Sequence, residues 1–193
     1  MTSRAVFLAK IRKAQPSPVS LPDVPLFATP AGDRASRFAT ALALMGGTCI
    51  TLQGLGEVRT WVADRFGSDA VIASAVRGID GNRAIDYRTL PASLEDVAVG
   101  IVRARFGVAE TGSVWFSEDE YVVNAIGYLV QHLVVLLDPM RIEDGLQEAY
   151  RRPDFRTARY AALVTGLSAT ADIEGIMIRG AQGVRSLTVA LVP

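Results

Sequence analysis

The chain has 193 residues, half of them apolar, enough to bury the core of one domain with room for a small appendage. Its 20 lysines and arginines balance 20 aspartates and glutamates, so there is no global basic field for nucleic acid and no acidic block typical of a disordered tail. A single cysteine, Cys49, and a single histidine, His132, exclude an intrachain disulfide and a cysteine-held iron–sulfur centre, and any Ser-His-Asp triad would depend on that one imidazole.

Residues 3–14 read as a short amphipathic helix with Val6, Phe7 and Ile11 on one side. Lys10, Arg12 and Lys13 break up its apolar residues, so it lacks the long core of a secretory signal. No apolar run approaches the ~20 residues that span a bilayer, and a cytoplasmic location is expected. Residues 15–30 carry Pro16, Pro18, Pro22, Pro25 and Pro30, which predicts an extended arm. Domain organisation follows: 1–32 as helix and proline-rich arm, 33–193 as an α/β domain. The arm and leading helix can pack on the core or on a second subunit, or form a poorly ordered terminus.

Residues 33–45 have helical spacing, with Phe38, Ala41, Leu42 and Met45 on one face and Gly46-Gly47 as the stop. A strand is expected over 48–52. A second helix covers 57–66, with Val58, Trp61, Val62 and Phe66 inward. Another strand covers 71–76. This alternation predicts a parallel-sheet domain. Residues 78–90 are charge-rich and turn-prone, and Arg83, Asp86 and Arg88 read as a solvated loop, with contact to a ligand as the alternative.

In the second half, a strand-like pattern over 108–116 is interrupted by Thr111-Gly112, directly after Glu110. A glycine inside such a pattern marks a bulge or a close backbone approach. Helices are expected over 120–129 and 142–150, and a buried strand over 132–137. Residues 161–192 then read as a βαβ unit: a strand, the turn at Gly166-Leu167, a helix opened by Ser168 or Thr170 with Asp172 and Glu174 in its first turn, a turn at 180–183, and a closing strand. A helix start there offers unpaired N–H groups to an anion, at the sheet edge where open α/β folds bind ligands. The same residues also suit a capped crossover helix with no ligand. Strands at Thr48, Val71, His132, Ala161 and Leu187 are expected to be central.

Ala109-Glu110-Thr111-Gly112 and Thr170-Ala171-Asp172-Ile173-Glu174, taken together, resemble the LUD domain of the LutC/YkgG lactate-utilisation family. The similarity runs from about Leu94 to Val192. It includes 95–100, the strand at His132 and the closing 180–187, but Leu167 stands where the family usually has proline. The resemblance implies an open, mostly parallel sheet with helices on both faces, of the NagB/RpiA/CoA-transferase type. It implies a subunit that acts with two iron–sulfur partners in oxidation of L-lactate to pyruvate, with the clusters in those partners and no cofactor or metal in this chain. A homo-oligomer is compatible with it. The alternatives are a non-catalytic scaffold for the iron–sulfur subunits, and a free-standing acyl or CoA transferase.

Glu110 is the candidate catalytic group, as base or nucleophile. It can equally bond backbone amides and shape the turn. Thr111, Gly112, Ser168, Thr170, Asp172 and Glu174 are the candidate contacts for a small anion such as lactate or pyruvate. Asp172 and Glu174, two apart on a helix, point in different directions. Asp172 would cap or bind a ligand hydroxyl, and Glu174 would pair with Arg179 or Arg185. His132 reads as a satisfied residue at a strand edge, and Cys49 as a small hydrophobe.

Overall fold

The computed structural model describes residues 3–17, 19–20, 22–23, 25–27, 30–172 and 174–193. Pro18 of the arm and Ile173 of the closing motif lie outside the described residues. Helix α1 covers Ser3–Ala14 and buries none of its residues. Helix α2, Arg34–Leu44, opens at Asp33, whose carboxylate accepts from Ser36 N–H at 2.8 Å, and it buries Phe38 and Leu42. Helix α3, Leu55–Phe66, buries Val58 and Val62 and stops at Gly67, as the spacing predicts.

The central sheet has five parallel strands. These are β1 (Thr48–Thr51), β2 (Ile72–Ser74), β3 (Val99–Arg103), β6 (His132–Leu137) and β11 (Ser186–Leu191), in the order β1-β11-β6-β3-β2. Side chains alternate across it, as strand geometry requires. Leu133, Val135 and Leu137 of β6 join Phe38 and Leu42 of α2 on one face. Val134 and Leu136 join Val58 and Val62 of α3 on the other. The expected α/β class, mostly parallel and covered on both faces, is what the chain forms.

A second sheet of four strands follows the order β7-β4-β5-β8. It is built from β4 (Phe106–Val108), β5 (Ser113–Ser117), β7 (Ile142–Glu143) and β8 (Ala161–Val164). Residues 109–112 therefore reverse the chain between antiparallel β4 and β5 instead of kinking one strand. The strand at Ala161 belongs here, antiparallel to β5, and not to the central sheet. Its expected place in the central sheet is taken by Val99–Arg103, which the sequence had not marked as central.

Two expected helices are also corrected. Residues 120–129 split into α4 (Glu118–Tyr121) and α5 (Ile126–Leu129). A capping box between Ser117 and Glu120 starts the first, and Val122 at φ 63 ends it, since that backbone cannot continue a right-handed helix. The helix expected over 142–150 begins only at α6 (Leu146–Arg151), after β7, and is followed by α7 (Asp154–Thr157).

The largest correction concerns the closing unit. Among the described residues, no helix follows Gly166. Strands β9 (Ala169–Thr170) and β10 (Ile178–Arg179) pair as an antiparallel ribbon. Ser, Thr and Asp, which cap helices, also bond their own backbone in turns, and here the turn wins. Glu174 at φ 54 and Gly175 at φ 71 reverse the chain. Among the described residues, the expected βαβ unit and its helix N-terminus are not formed.

Candidate functional site

The chain leaves the carboxyl ends of β3 and β6 and enters the second sheet, where Glu110 follows β4. Its neighbours are fixed by backbone bonds: Ala109 N–H donates to Glu143 O at 2.9 Å, and Glu110 N–H to Asp144 O at 3.1 Å. The side chain then reaches the start of α6, where Oε2 accepts from Leu146 N–H at 2.9 Å. The N-cap residue of α6 is Gly145, which has no side chain for the task. Glu110 supplies that cap from across the sheet, and its charge complements the positive helix end. Of the roles open to Glu110 in the sequence, bonding a backbone amide is the one on display.

Gly112 performs the close approach. Its φ is +67, and a Cβ there would lie 2.6 Å from Leu42 Cα, so the turn is pressed beneath α2. Thr111 Oγ1 and Ser113 Oγ are 2.6 Å apart, and Ser113 Oγ also bonds Thr165 Oγ1. Ser113 is buried, so this row of hydroxyls ties β5 to the segment after β8.

Two cavities meet at Glu110. One, of about 510 Å³, runs along α2 and is lined by Asp33, Arg37, Ala41, Leu44, Asp144 and Glu148, together with Phe27 and Pro30 of the arm. The other, of about 520 Å³, is lined by Leu44, Met45, Thr111, Ser113, Tyr150 and Thr165. Among the charged groups lining the first, Asp33, Glu110, Asp144 and Glu148 face the single guanidinium of Arg37. Its Arg37 bonds Asp144, and Arg34 Nη2 lies 2.7 Å from the same carboxylate. Burial alone would raise the Asp144 carboxyl, but the bonds from Arg34 and Arg37 outweigh it and hold it below the usual carboxylate range.

The second group of candidates lies elsewhere. Ser168 N–H donates to Val184 O, and Ser168 O accepts from Gly180 N–H, which closes the base of the β9–β10 ribbon. Thr170 Oγ1 donates to Asp172 Oδ2 at 2.6 Å, a contact within the ribbon. Glu174 is exposed. Ser168, Thr170, Asp172 and Glu174 do not line either cavity. The two groups approach the same feature, the last turn of α2. Leu44 and Met45 line the cavity with Thr111, while Gly166 packs against Met45 O and Arg179 donates weakly to Leu44 O at 3.4 Å.

The LUD domain family model matches residues 55–192. This chain belongs to the LUD domain family. Membership gives it a lactate-utilisation-related role. The crystal structure of a DUF162 family protein from Deinococcus radiodurans superposes with a TM-score of 0.64 at 14% identity, covering 85% of this chain and 100% of that one. At that identity the likeness establishes the fold alone. No curated protein matches the sequence.

The sequence reading missed the charged staple of this LUD domain. Arg105 bonds Glu120 at 2.7 Å and Asp154 at 3.2 Å, and Arg152 bonds Asp154 at 2.8 Å and Glu143 at 2.6 Å. Both guanidinium groups also lie over the stacked Phe106–Trp115 pair, at 4.4 Å for Arg152 and 5.1 Å for Arg105. Planar forked donors suit such shared carboxylates. His132 stands at the amino end of β6, where Nδ1 is 2.8 Å from Ser186 Oγ and the ring packs on Phe66. Among the described residues, no group of three His, Cys, Asp or Glu side chains could hold a metal ion.

Proposed function

We propose that this LUD domain is a cytoplasmic subunit of an iron–sulfur L-lactate oxidation system, and that it holds the cluster-bearing partner subunits instead of supplying the lactate site. The observation that carries this reading is the crest of the β9–β10 ribbon. Ile176, Met177 and Ile178 are 63%, 59% and 41% exposed, three consecutive large apolar residues turned to solvent. Contiguous apolar surface of this kind marks protein contact sites. The cavity along α2 supports the same reading, because Asp33, Glu110 and Glu148 repel lactate or pyruvate and Arg37 is bound to Asp144.

The row of hydroxyls at Thr111, Ser113 and Thr165 beside Glu110 is the feature that favours the other reading, a substrate-binding subunit. Reconstitution separates the two. The chain is co-purified with its iron–sulfur subunits and L-lactate oxidation is measured. Met177→Asp with Ile178→Asp is expected to lose both capture and activity, while Glu110→Gln keeps both. A Glu110→Gln assembly that forms normally but does not turn over, or a doubly substituted crest that still assembles, overturns the proposal.

A further inference from the structure

Helix α1 buries none of its residues among the described part of the chain. All twelve residues of Ser3–Ala14 are exposed, Phe7 by 62% and Ile11 by 44%. An isolated helix of this length is marginal in water and needs packing to persist. Its charge has one sign: Arg4, Lys10, Arg12 and Lys13, with no acidic residue. Lys10 and Lys13 are also the chain's only lysines. The α2 cavity is its complement. Ala41, Leu44 and Ala109 give it apolar surface, and Asp33, Glu110 and Glu148 give it negative charge.

We propose that α1 of one copy docks in the α2 groove of a second copy, forming an arm-exchanged dimer. Phe7 and Ile11, four residues apart on one side of the helix, cover the apolar floor. Lys10 and Lys13 face the carboxylates. Phe27 and Pro30 line the groove of their own copy, and no residue of α1 does. The reciprocal contact between two copies closes a symmetric pair. This inference does not rest on the proposed function, since it needs no iron–sulfur subunit and uses a different surface from the ribbon crest.

The test is the mass of the full chain alone, by sedimentation velocity across concentration and salt. A dimer that weakens with salt is expected, and Phe7→Asp should raise its dissociation constant about tenfold or more. No residue of α1 is buried, so this substitution leaves the domain folded. Two charge-reversed variants decide the mode of docking: Lys10→Glu with Lys13→Glu, and Gln147→Lys with Glu148→Lys. Each alone should be monomeric. Mixed in equal amounts they should form a heterodimer, because the reversed helix then meets the reversed groove. A monomer at every concentration, a dimer indifferent to Phe7→Asp, or a mixture that stays monomeric overturns the inference. Also against it is a monomer that sediments with phosphatidylglycerol vesicles and loses this on reversing Lys10 and Lys13, which would assign α1 to a lipid surface.

Discussion

The Glu110 carboxylate caps the amide of Leu146 at 2.9 Å, across 36 residues of chain. The helix it caps begins at a glycine, which has no side chain to take its place. Glu110→Ala is expected to destabilise the fold by about 1–2 kcal/mol, the usual range for losing a helix cap. Glu110→Gln keeps an acceptor oxygen and loses the charge, so it should cost about half as much or less. Urea denaturation of the three proteins checks the order. Equal stability of Glu110→Ala and the parent chain would remove the capping role.

His132 gives a pH dependence of known sign. Burial, reinforced by the charges of Arg65 and Arg185, holds its imidazole below the ordinary histidine value of 6.5. The unfolded chain then binds the proton more readily than the folded one. Stability from this group is fully present above about pH 6.5 and is lost as pH falls through that value towards the lower folded one. Melting temperature should therefore fall from pH 7 to pH 5, and the fall should be shallower in His132→Gln. An identical slope in both proteins would place the titration elsewhere.

Two glycines of similar backbone angle should respond differently to a methyl group. Gly112 at φ +67 would place a Cβ against the backbone of Leu42, whereas Gly175 at φ +71 has nothing within 4 Å. Gly175→Ala should cost only the left-handed strain, about 1 kcal/mol. Gly112→Ala adds an overlap that α2 cannot relieve without moving, and should cost about 3 kcal/mol or more. Thermal melts of both variants measure the difference. A Gly112→Ala protein as stable as Gly175→Ala would mean that α2 is free to shift.

Much of the fold was legible because its signals are local. Asp33 bonds Ser36 three residues away, and the faces of α2 and α3 repeat at helical spacing, so their helices could be read from short windows. The central strands at Thr48, Val71, His132 and Leu187 announce themselves by apolar runs between turns. The closing motif misled for an equally local reason. Ser168, Thr170 and Asp172 suit a helix cap and a turn alike, and the reversal at Glu174 and Gly175 selected the turn.

What the sequence alone determined is the α/β class, the two long helices of the core and the presence of a backbone constraint at Gly112. Only the tertiary structure decided which sheet takes Ala161–Val164, because a short apolar strand fits either sheet and the choice falls to the available edge of β5. It likewise decided the role of Glu110. A carboxylate can act as base, nucleophile or cap, and the distant amide of Leu146 within hydrogen-bonding reach is what makes this one a cap.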